Sequence, residues 1–86
     1  MPEISRFLGI VIRMYFQDHN PPHFHVSYES FEASIDIENL KIIRGNIPPR
    51  IYGIVVEWAS LHKKELIKNW KNAKNLKEIK SIKPLI

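Results

Sequence analysis

The sequence predicts an α+β domain: a three- or four-stranded antiparallel meander covered on one face by one long C-terminal helix, followed by a basic tail. Three observations carry this. The hydrophobic period changes once along the chain, from two to about 3.6. Phe31, Ala33, Ile35 and Ile37 alternate with Glu32, Ser34, Asp36 and Glu38, the pattern of a strand with one buried face. Pro48-Pro49 then opens a long apolar stripe, and proline is tolerated in the first turn of a helix. With 86 residues, 44% of them hydrophobic, the chain is expected to form a single domain over residues 1–86 with one thin core.

The elements follow in order. Phe7 to Phe16 is apolar and β-branched, with Ile10, Ile12, Met14 and Phe16 on one face and Val11, Arg13 and Tyr15 on the other. Asp18 to Pro22 makes a turn, because its prolines fix φ and remove two amide donors. Phe24, Val26 and Tyr28 alternate with His23, His25 and Ser27 as the next strand. Glu29-Ser30 supplies a two-residue hairpin into the strand Phe31–Glu38. A short fourth strand covers Leu40–Arg44 and stops at Gly45-Asn46, completing a β-meander over residues 1–45.

The helix is predicted over 48–73. Ile51, Ile54, Val55, Trp58, Leu61, His62, Leu66, Ile67 and Trp70 recur at helical spacing and make a stripe wide enough to cover a sheet. Trp58 and Trp70 read as core anchors, and His62 as a boundary residue packed on the Trp58 indole. Residues 76–86 read as a basic tail, either an edge strand or an arm that docks on a partner, since Pro84 argues against a central strand.

Composition limits the chemistry. No cysteine is present, so a metal would need nitrogen and oxygen ligands and no disulfide scaffold exists. No apolar run approaches the roughly 18 residues of a membrane span. Without such a run or a leader pattern, a cytoplasmic protein with no membrane partner is expected. Charge is uneven. Residues 62–86 carry eight lysines against Glu65 and Glu78, while residues 1–61 carry five basic and seven acidic side chains. The basic C-terminal segment is a candidate contact for nucleic acid or an acidic protein.

The densest chemical signal is Asp-His-Asn-Pro-Pro-His-Phe-His at residues 18–25. If Glu29-Ser30 forms the turn, Tyr28 pairs with Phe31, His25 with Ser34 and His23 with Asp36. Three readings of this cluster stand side by side. As a metal site, His19, His23, His25 and Asp18 would ligate a divalent transition ion such as zinc, nickel or iron. As an acid–base site, His23 and His25 oriented by Asp36 would act in ribonuclease-type phosphoryl transfer. As a rigid hairpin end, the cluster would satisfy local hydrogen bonds and form part of an interface. Candidate partner contacts are Tyr15, Pro21 and Pro22 beside the turn, and Lys80 and Lys83 in the tail.

Several stretches together resemble one small bacterial family, domain-of-unknown-function family four-one-six-zero. They are Met-Pro-Glu-Ile-Ser-Arg-Phe-x-Gly-Ile at the start, Phe-x-Asp-His-Asn-Pro-Pro-His-Phe-His-Val, the Ile-Asp-Ile strand, and Pro-Pro-Arg…Glu-Trp-Ala-x-Leu-His…Asn-Trp. By that resemblance Asp18, His19, Pro21, Pro22, His23, Phe24 and His25 form the signature turn, and Glu57, Trp58, His62 and Trp70 the helix motif. The family has no established reaction. The resemblance implies one component of a toxin–antitoxin-like pair, with a protein partner encoded by the neighbouring gene. The function expected is therefore a cytoplasmic partner-binding module with the histidine turn as its working surface; the alternative is a metal-dependent or His/Asp-based ribonuclease-type enzyme.

Overall fold

A turn at Leu8-Gly9 joins a strand at Glu3–Phe7 to the next at Ile10–Arg13. Both residues take positive φ, 52° and 78°, which suits the tight hairpin turns whose twist matches the flanking strands. The computed structural model describes residues 2–86. Five strands follow one another as β1 (Glu3–Phe7), β2 (Ile10–Arg13), β3 (His23–Tyr28), β4 (Phe31–Asp36) and β5 (Ile42–Asn46). They form one antiparallel sheet in sequence order. Two helices follow the sheet, α1 (Pro49–Leu61) and α2 (Lys63–Lys74).

Two expectations of architecture are corrected. The sheet has five strands, not three or four, because Glu3–Phe7, ahead of the run read as the first strand, forms a strand of its own and pairs with Ile10–Arg13 across a turn that includes the exposed Leu8. A solvent-facing leucine hides a turn from any reading based on hydrophobicity. The single long helix is two shorter ones, broken at His62 with φ −126° and ψ 23°. Its stripe gave no warning, since Ile51, Val55, Trp58, Leu66 and Trp70 would share one face of an unbroken helix. Length explains the break. A straight helix over 48–73 would run about 39 Å, whereas the longest axis of the domain is 33 Å. The break leaves Leu61 exposed and keeps Leu66, Asn69, Trp70 and Ala73 buried.

The hairpin between β3 and β4 has the expected register, with Tyr28 opposite Phe31, His25 opposite Ser34 and His23 opposite Asp36. That register divides the sheet into two faces. Ile10, Ile12, Phe24, Val26, Ala33 and Ile35 are buried in the core that α1 and α2 close. Trp58 is its centre, fully buried, with ring centroids 5.5 Å from Phe7 and 6.0 Å from Phe24. The other face carries Arg13, His25, Ser27, Glu32 and Arg44.

Beyond α2 the chain has no regular secondary structure, yet it is fastened to the domain. Trp58 Nε1 donates to the Lys83 carbonyl (2.9 Å), and the Ile82 amide donates to the Ile4 carbonyl (2.7 Å). The Asn69 side chain donates to the Lys80 carbonyl (2.8 Å) and accepts from the Lys80 amide (3.0 Å).

Candidate functional site

The turn between β2 and β3 is held from the helix side. Its Gln17 amide donates to the carbonyl of Ala73 in α2, and Lys74 Nζ donates to the Asp18 carbonyl, at 3.2 and 3.0 Å. The Gln17 amide thus joins the Leu76 amide on the Ala73 carbonyl, at the end of α2 where carbonyls lack the next helical turn. The turn then folds Asp18 over the start of β3, with a cis peptide between Asn20 and Pro21. Two imidazoles separated by one residue share a strand face, so His23 and His25 both meet Asp18.

One carboxylate oxygen joins them. Asp18 Oδ2 lies 3.0 Å from His23 Nε2 and 2.9 Å from His25 Nε2. Each member has a further partner. The His19 amide donates to Asp18 Oδ1 (2.9 Å), His23 Nδ1 donates to the Pro21 carbonyl (2.7 Å), and Ser34 Oγ lies 3.2 Å from His25 Nδ1. Aromatic rings brace the pair. Trp70 packs on His23 at 5.2 Å between centroids, Tyr15 meets His25 edge-on at 4.3 Å, and the two imidazoles are 5.0 Å apart.

Burial alone would raise the Asp18 pKa. The hydrogen bonds from His25 and the His19 amide, with the charges of His23 and His25, outweigh it and hold the carboxyl below the ordinary aspartate range. The cluster forms one end of a cleft of about 530 Å³ on the sheet face away from the helices. Ser34 lies beside His25, and Ile43, Arg44 and Gly45 of β5 line the cleft beyond it.

The candidate residues separate accordingly. Asp18, His23 and His25 are brought together. The His19 side chain is exposed and stands outside that group, although its amide orients Asp18. Asp36 is opposite His23 in register, but its carboxylate is turned to the β4–β5 connection, accepting from the Glu38 amide (2.7 Å) and Asn39 (3.4 Å). Tyr15 and Pro22 are half-buried beside the turn, and Pro21 is exposed. Lys80 and Lys83 have exposed side chains and backbones already bonded within the domain. His62 packs on Trp58 at 5.6 Å and bonds Glu65, far from the cleft.

Sequence reasoning missed Arg44 as a cleft residue and Lys74 as a brace. Lys74 also sits 5.6 Å over the Trp70 ring, a contact that i, i+4 spacing in a helix offered. Nothing local could have placed Arg44 in the cleft with the histidines.

Fold and site define a small helix-backed β-meander domain with a His–Asp cleft on its open face. The chain belongs to the family described as Domain of unknown function (DUF4160), whose model matches residues 9–71. No curated protein and no solved structure matches it. Among the described residues, no helix is long and apolar enough to cross a membrane.

Proposed function

We propose that this protein is a partner-binding module, one component of a toxin–antitoxin-like pair acting in the cytoplasm, and that the His–Asp cleft is its working surface. The observation carrying this reading is the cleft's position. The helices bury one sheet face, and the turn and β4–β5 leave a concave site with convergent polar groups on the other. A concave site with a few convergent polar groups is the usual form of a binding site. The exposed lysines of α2 and the tail, Lys80 and Lys83 among them, give a second surface suited to an acidic partner or nucleic acid.

The test is co-expression with the product of the neighbouring gene and capture of the complex. A stable complex is expected, weakened by Tyr15→Ala or Arg44→Glu in chains that circular dichroism shows to be folded. Recovery no better than with an unrelated protein would overturn the reading.

A ribonuclease-type enzyme is the second reading. It is favoured by the contact of His25 with Asp18, the arrangement that orients a general base, and by Arg44 in the same cleft, a fit for phosphate. On that reading, expression without the partner arrests growth and His25→Ala relieves the arrest. Normal growth under strong expression, with no cleavage of RNA by the purified chain, would rule it out.

A further inference from the structure

Hydrogen-bond accounting at His23 leaves a gap that a cation fills. The Pro21 carbonyl only accepts, so His23 Nδ1 carries a proton and points it there. In the neutral ring the Nε2 lone pair then faces Asp18 Oδ2 at 3.0 Å. Two lone-pair donors at that distance need a positive centre between them, either a second proton on the ring or a metal ion. The second imidazole, His25, brings its Nε2 to the same oxygen at 2.9 Å. A proton would serve one nitrogen at a time, whereas an ion can serve all three atoms.

From this geometry we infer that Asp18 Oδ2, His23 Nε2 and His25 Nε2 form a binding site for one divalent first-row transition ion, with its remaining coordination positions open to the cleft. The inference rests on the cleft being the working surface and deepens that reading. The three ligand atoms lie within 4.8 Å of one another. Ligands of a tetrahedral zinc ion, at bond lengths of about 2.0–2.1 Å, sit roughly 3.3 Å apart, so the two contacts to Asp18 need to open by only a few tenths of an ångström.

The outer contacts match those of metal sites. Ligating imidazoles typically donate their other N–H to a carbonyl or similar acceptor, which fixes the tautomer and aims the lone pair. His23 does so to Pro21, and Ser34 Oγ, 3.2 Å from His25 Nδ1, is placed to accept the same bond once His25 Nε2 ligates. The carboxylate is fixed as well, because the His19 amide holds Oδ1 and leaves Oδ2 for the ion. Two imidazoles and a carboxylate with no thiolate suit Zn²⁺, Fe²⁺ or Ni²⁺ rather than Mg²⁺ or Ca²⁺. His23 is nearly sealed beneath Trp70, while the His25 and Asp18 side chains are 27% and 21% exposed. The open side of the ion therefore faces the cleft, where water or an anionic oxygen completes it.

The experiment uses the full chain without an affinity tag. Metal-free protein is titrated with Co²⁺, whose visible absorption reports coordination, and Zn²⁺ is then added in competition. One equivalent of Co²⁺ is expected, displaced by Zn²⁺. Asp18→Asn keeps the side-chain shape and His25→Ala removes a part-exposed ring, so both fold, and each is expected to weaken Co²⁺ binding by about 100-fold or more. His19→Ala, which retains the amide, is expected to bind as the wild type does. A folded wild-type chain that takes up no ion at micromolar concentration overturns the site, as does wild-type affinity in His25→Ala. Partner capture measured on metal-free protein separates the two ideas. Intact capture without any metal uptake sinks the ion site alone, whereas metal uptake with no capture sinks the partner reading alone.

Discussion

Trp70 of α2 lies against His23 of β3, ring centroids 5.2 Å apart and planes tilted by 50°. Forty-seven residues separate them in sequence. The contact ties the candidate site to the helix layer, so the orientation of His23 depends on the position of α2.

Truncating that indole should damage stability and site together. Trp70→Ala is expected to cost about 3–5 kcal/mol, the range for removing a large buried aromatic, and Trp70→Phe distinctly less. Urea denaturation followed by circular dichroism measures it. A loss under about 1 kcal/mol would mean that the indole does not brace the turn.

Acid should act through Asp18. Its folded-state pKa lies below the ordinary value of 3.8, so in the metal-free protein the ionised carboxylate stabilises the fold. That contribution is complete above the unfolded value and disappears as pH falls through the folded one. Wild type should therefore melt higher than Asp18→Asn near pH 7, with the gap narrowing as pH falls below the ordinary 3.8. A gap of constant size across that range would contradict the account.

Gly45 of β5 faces Ala33 of β4 with φ +75°, and a Cβ there would stand 2.2 Å from the Glu32 carbonyl oxygen. Gly45→Ala must both adopt a left-handed conformation, costing roughly 1–2 kcal/mol, and push β5 off β4. A total loss of at least about 2 kcal/mol is expected, together with damage to the cleft wall that Gly45 lines. Thermal melting checks the first, and Co²⁺ titration shows whether the histidine end is left intact.

The tail offers a backbone-against-side-chain contrast. Asn69 is buried and clamps both polar groups of the Lys80 backbone. Asn69→Ala is expected to destabilise by about 1–3 kcal/mol, as losses of buried hydrogen-bond partners do. Lys80→Ala should stay within about 0.5 kcal/mol of wild type, because its backbone makes the bonds and its side chain is exposed. Equal effects from both would refute the clamp.

Much of the β-layer was legible. Strict alternation fixed the faces of β3 and β4, and a two-residue loop at Glu29-Ser30 fixed their register, because a slip by one would have put Phe24 and Val26 in water. The dense histidines marked the site region for the same local reason, since residues two apart on a strand share a face. The break at His62 was not legible, because helical periodicity carries no information about the size of the sheet to be covered.

By itself the sequence determined which side chains point together along β3 and β4, since backbone periodicity is a local property. The tertiary structure alone decided which acid serves the histidines. Asp36 holds the position opposite His23 in the register but caps its own turn, while Asp18, in a turn anchored by the Ala73 carbonyl and Lys74 of α2, reaches both imidazoles. Strand pairing sets backbone neighbours. Which carboxylate arrives at a ring depends on where a loop is anchored, and here the anchor is a helix more than fifty residues away.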